Sequence, residues 1–170
     1  MRGCRATIWV IAFFFAVAAR AVAQEDEEGI TVGHVPGPAA VQTLDGATVD
    51  LKHLIGPKPA LIEFWATWCP RCRALEPRLK DAASRYGGKV QFLAVAVAVN
   101  ETLLSVRRHL ALHPAPYPFV WDADGAAVRA FQAPTTSYMV LLGRDGKVRY
   151  TGVGAEQDFE PALAKLAAAP

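Results

Sequence analysis

Apolar positions along the chain fall into short continuous runs, alternating with stretches in which they recur at helical spacing. Ala60 to Trp65 is one such run, set behind Pro57 and Pro59 with Glu63 as its single charge. It predicts a strand buried on both faces. From Pro70 onward Leu75, Leu79, Ala82 and Tyr86 repeat with the period of a helix, which Gly87-Gly88 stops. Val90 to Val99 is almost unbroken valine and alanine, a second central strand, and Glu101 to Leu112 places Leu103, Val106 and Leu110 on one face of a covering helix. Before these elements, Val41-Gln42-Thr43-Leu44 and Ala47-Thr48-Val49-Asp50-Leu51 flank Asp45-Gly46, the signature of a hairpin. After them, Pro114, Pro116 and Pro118 enforce an extended loop into Phe119-Val120, and Ala126 to Phe131 forms a short helix. Ser137 to Leu142 and Lys147 to Tyr150 enclose a second Asp-Gly turn at Asp145-Gly146. Phe159, Leu163 and Leu166 mark a closing amphipathic helix. Strand, helix, strand and helix followed by a hairpin and a helix predict an α/β domain, a mixed sheet with helices on both faces.

The N-terminus does not share this pattern. Arg2 and Arg5 precede an apolar run from Ala6 to Ala19, and Ala21-Val22-Ala23 reads as a small-x-small cleavage site. The run is shorter than the roughly 20 residues a membrane-spanning helix needs, and Arg20 lies at its end. Residues 1–23 are therefore expected to be a signal peptide, 24–34 an acidic flexible lead, and 35–170 the folded domain. The protein is then exported to the periplasm or another extracytoplasmic space, and is held at a membrane only if residues 6–19 stay uncleaved as an anchor.

Cleavage changes the charge picture. The leader holds three arginines and no acid, so the formal net charge falls from +2 to −1, with 15 basic and 16 acidic side chains. The basic excess says nothing about nucleic acid, and no basic stripe interleaved with aromatics remains, so nucleic acid is excluded as a partner. Cysteine content changes too. Without Cys4, Cys69 and Cys72 are the mature chain's two cysteines, three positions apart.

These two close Leu61-Ile62-Glu63-Phe64-Trp65-Ala66-Thr67-Trp68-Cys69-Pro70-Arg71-Cys72. A strand here delivers Cys69 to the start of a helix, where unsatisfied backbone N–H groups and the helix dipole favour thiolate over thiol. The thiolate is the attacking species. Pro70 suits the first helical turn, where a missing N–H costs nothing. Cys72, nearly one turn on, is close enough to form a disulfide and is expected to be the more buried sulfur. Cys69 should therefore attack and Cys72 resolve the mixed disulfide. A structural bridge over so small a loop would stabilise little. A zinc knuckle lacks its second cysteine pair, and His34, His53, His109 and His113 show no matching ligand spacing. A copper-delivery module binding through both thiolates stays open, as does a non-catalytic binding module.

Glu63 to Arg73, with Glu76-Pro77 following, resembles the active-site strand and helix of thioredoxin-like proteins, nearest to the exported TlpA/ResA-like branch. Ala133-Pro134-Thr135-Thr136, Asp145-Gly146-Lys147-Val148 and Gly152 resemble the family's cis-proline loop and hairpin, and the helix at 101–112 resembles the branch's insertion. The resemblance spans roughly residues 35 to 168. It implies a thioredoxin fold and dithiol exchange with cysteine-containing protein substrates, the electrons coming from an upstream dithiol protein. It implies no organic cofactor or metal. It suggests a reductase of apocytochrome or copper-site cysteines. It places Pro134 as the cis-proline, with the backbone of Ala133 free to pair with substrate. Trp68, Pro70, Arg71, Ala133 and Thr135 would line the substrate groove, while Trp65 and Trp121 belong to the core. Glu63 matches a buried acidic position whose raised pKa would suit it to take the proton of Cys72; the competing expectation is that it turns to water or pairs with Lys58.

Overall fold

The computed structural model describes residues 29–169, so the leader and residues 24–28 of the acidic lead lie outside the described residues. Twelve elements follow in chain order: β1 (Ala40–Thr43), β2 (Thr48–Asp50), α1 (Leu51–Ile55), β3 (Ala60–Trp65), α2 (Pro70–Tyr86), β4 (Gln91–Val97), α3 (Leu103–Leu112), β5 (Phe119–Asp122), α4 (Ala126–Ala130), β6 (Tyr138–Leu142), β7 (Val148–Val153) and α5 (Glu160–Ala168). The strands form one mixed sheet in the order β2-β1-β5-β4-β3-β6-β7. β3 runs parallel to β4, and β4 to β5, while β6 is antiparallel to β3 and β7 to β6. The expected fold class, a mixed sheet flanked by helices with an N-terminal hairpin and an extra central helix, is the one observed.

Strand alternation sorts the core into two layers. Leu61, Phe92, Met139 and Leu141 pack with Leu75 and Leu79 of α2 and Leu163 of α5 on one side of the sheet. Ile62, Phe64, Leu93, Val95 and Val140 pack with Leu51, Val106 and Ala127 on the other. Glu63 falls on the strand face it shares with Leu61, toward α2.

Two expectations about the N-terminal part change. The second hairpin strand stops at Asp50, whose side chain accepts the Lys52 N–H and caps α1. A helix of five residues is too short to show a period. The lead is also shorter than 24–34 allows. Ile30 is buried and donates its N–H to Phe131 O, while Gly33 N–H and His34 O pair with Val148. The apolar side chain of Ile30 anchors the segment, so the folded chain reaches back at least to Gly29.

Candidate active site

The site lies at the C-terminal end of β3, where the chain turns through Ala66–Trp68 into α2. Cys69 is the N-cap of that helix, Pro70 its first residue, and the Cys69 Sγ accepts the Cys72 N–H at 3.0 Å. One of the orphan amides of the helix start is thus aimed at sulfur. Cys69 and Cys72 are joined in a disulfide with Cα atoms 5.3 Å apart. The expected difference in exposure between them is absent: each is 1% exposed. The disulfide ties the sulfurs into one unit at the edge of the core, so neither projects in this oxidised form.

Around the sulfurs the polypeptide is pinned from the loop between β4 and α3. Trp68 stays 43% exposed, yet its Nε1–H donates to Val99 O at 2.9 Å. The Glu101 carboxylate accepts the Thr67 N–H at 2.8 Å and also the Ser105 hydroxyl and Thr102 N–H. Burial would raise the Glu101 pKa, but the hydrogen bonds from Ser105 and Thr67 outweigh it and hold the carboxyl below its ordinary value. Sequence reasoning missed Glu101; the signal was its place just before the cap Thr102, whose hydroxyl accepts the Ser105 N–H.

On the opposite rim Arg71 reaches Thr135 Oγ1 at 3.5 Å, which brings the 133–136 loop beside the first turn of α2. Trp65 and Trp121 are buried in the core. The proline of that loop is not what was expected. No cis peptide bond occurs among the described residues, so Ala133–Pro134 is trans. Pro134 is exposed and lies in the turn after α4, four residues before β6 begins. Entry into β6 is made by Ser137, a buried residue at φ 62°. Its N–H donates to Phe64 O at 2.8 Å, a bond no proline could make. Its carbonyl accepts Gln157 Nε2 and its hydroxyl the Gly154 N–H, so the left-handed conformation is held from three sides.

Glu63 is 2% exposed, and its Oε1 has no hydrogen-bond partner in the protein. Lys58, the alternative partner, instead donates to Gly88 O. Burial foremost, and the Glu76 carboxylate second, push the Glu63 pKa up to about 8. Glu63 and Cys72 line one small cavity together with Glu76, His109, His113 and Tyr117. No cluster of three or more His, Cys, Asp or Glu side chains arranged to hold a metal ion occurs among the described residues.

A strand-to-helix turn carrying a disulfide, on a mixed sheet of this order, defines a thioredoxin-fold thiol–disulfide oxidoreductase. The redoxin family profile matches residues 32–166, and the chain belongs to that family, in its TlpA/ResA-like branch. It is 24% identical over 143 residues to the thiol-disulfide oxidoreductase ResA of Bacillus cereus, covering 83% of this chain and 82% of the relative. Among solved structures, StoA from Bacillus subtilis superposes with a TM-score of 0.63 at 20% identity, over 76% of this chain and 96% of that one. A secreted Mycobacterium tuberculosis disulfide oxidoreductase homologous to Escherichia coli DsbE gives 0.62 at 25% identity, over 76% and 95%.

Proposed function

We propose that the protein is an exported reductase of protein disulfides. In this reading the Cys69 thiolate attacks a substrate disulfide, forming a mixed disulfide and releasing one substrate thiolate. Glu63 takes the proton of Cys72. The Cys72 thiolate then attacks Cys69 Sγ and expels the second substrate sulfur, leaving the substrate reduced by two electrons and the Cys69–Cys72 disulfide closed. The observation that carries it is the buried Glu63 sharing one cavity with Cys72: a carboxyl tuned to near-neutral titration matches the task of a general base. Trp68, Pro70, Arg71, Ala133 and Thr135 form the rim that receives the substrate chain. Export is supported by the N-terminal leader pattern and by the secreted mycobacterial relative. Among the described residues no helix is long and apolar enough to cross a membrane. Apocytochrome or copper-site cysteines are the substrates proposed, with reducing equivalents supplied by another dithiol protein.

A redox titration tests the direction of flow. A potential below about −200 mV supports the reductase, whereas a value near −120 mV would make the protein an oxidant. Trapping tests the division of labour. Cys72→Ser should accumulate mixed disulfides with cysteine proteins and Cys69→Ser should not; the reverse pattern would exchange the two roles.

A further inference from the structure

The buried base must itself be emptied. A proton placed on Glu63 sits in a group that is 2% exposed, and each turnover requires it to reach water. The cavity shared by Glu63 and Cys72 offers a way out. It is also lined by Glu76 from α2, His109 from α3, His113 just past the end of α3, and Tyr117 from the loop before β5. Its accessible volume is about 10 Å³, the space of about one water. Glu76 is partly exposed and forms an ion pair with Lys80 at 2.6 Å, so it bridges the cavity and the surface. His109 is partly exposed as well. Its ring lies edge-on to Trp65 at 5.3 Å and 4.7 Å from the ring of His113, which is exposed.

We propose that Glu76 and His109 are the outer leg of a proton path that returns the proton of Cys72 from Glu63 to solvent. This rests on Glu63 acting as the base. The proton leaves Cys72 Sγ for the Glu63 carboxylate, passes across the cavity to the Glu76 carboxylate and His109 imidazole, and is released to water. No electrons move on this leg.

The charges facing the path favour release to water at its outer end. Burial, and His113 after it, lower the His109 pKa, with Arg73 adding to them, while Glu76 and Glu101 pull the other way. A neutral imidazole at neutral pH can accept a proton and pass it on. The two carboxylates act on a common space, since Glu63 and Glu76 both add to the effect of burial in raising the Tyr117 pKa. Tyr117 is thereby kept as a neutral phenol.

The test isolates the resolution step. A mixed disulfide of Cys69 with glutathione is formed at acid pH, the solution is jumped to neutral pH, and glutathione release is followed in wild type, Glu63→Gln, and a Glu76→Gln/His109→Phe double variant. Phenylalanine keeps an aromatic ring against Trp65. The double variant should slow release on the order of tenfold, less than the hundredfold or more a positioned base contributes. Added imidazole should restore its rate. Glu63→Gln should be slow and unresponsive to imidazole, because its position is sealed. Wild-type speed in the double variant, or slowing that imidazole does not relieve, overturns the path while leaving Glu63 as the base. A wild-type rate in Glu63→Gln removes the base itself and the path with it. Should the double variant fail to fold, Glu76→Gln alone carries the same expectations.

Discussion

Glu63 occupies a position that an apolar residue would fill at less cost to folding, and the penalty has a definite pH dependence. Its carboxyl has an ordinary pKa of 4.5 and is raised to about 8 in the fold, by burial and then by Glu76. Between those values the folded protein holds a proton that the unfolded chain has released. The stability linked to this group is therefore complete below pH 4.5 and is lost as pH rises through about 8. Wild type should lose a few kcal/mol relative to Glu63→Gln across that window, at about 1.4 kcal/mol per pKa unit. Urea denaturation of both proteins as a function of pH measures the difference; parallel stability curves would show that Glu63 is not held neutral. At this scale the sequence was informative where a residue contradicts its surroundings, as one carboxylate in an apolar strand does. Glu76 and His109 look ordinary on their helices, and only the folded chain brings them to the cavity that Glu63 and Cys72 also line.

At the scale of elements, strong periodicity made β3 and α2 legible: the run Ala60–Trp65 is the observed strand and Pro70–Tyr86 the observed helix. α1 is not legible in the sequence: its five residues carry no period, and Leu51 reads as the end of the strand before it. The element with most to say about the site is α3. Its first turn is fixed by a Thr102–Ser105 capping box, and Glu101 just ahead of it holds the Thr67 N–H. The helix thus sets the turn that presents Trp68 and Cys69. Glu101→Ala should cost about 1–3 kcal/mol, the range for charged hydrogen-bond partners removed from partly buried donors. It should also abolish hydrogen-exchange protection at the Thr67 amide. Protection unchanged at Thr67 would mean that the turn stands without α3.

For the whole molecule, the sheet order follows from connections that the sequence pattern suggested. The register of the strand beside the site did not follow. The Ala133-Pro134 pair matched a motif, but β6 starts at Tyr138, and it is Ser137 that meets Phe64 across the sheet. The motif fixes residue types, whereas hydrogen-bond register fixes which residue faces the sulfurs, and only the second is a property of the folded sheet. The domain boundary moved for a similar reason. Ile30, with Val32 and Val35 after it, shows no helical or strand period, yet it is 4% exposed, donates its N–H to Phe131 O and belongs to the same core layer as Phe131 and Val148. Ile30→Ala should lower stability by about 2–4 kcal/mol, as for other buried isoleucines. Thermal or denaturant unfolding would detect this, and a change below about 0.5 kcal/mol, typical of surface sites, would return Ile30 to the flexible lead.

The enclosure of both sulfurs in the oxidised state gives the disulfide the character of an insulated contact. An approaching thiolate must line up with the Cys69–Cys72 bond to attack Cys69, and each cysteine is only 1% exposed. A small thiol brings little binding energy with which to reach them. A protein donor brings a surface, and the contacts it forms there can supply the energy to open the rim before the sulfurs meet. With the sulfurs so enclosed, reduction of the disulfide by a small thiol should be slower than reduction by a protein that docks on the rim.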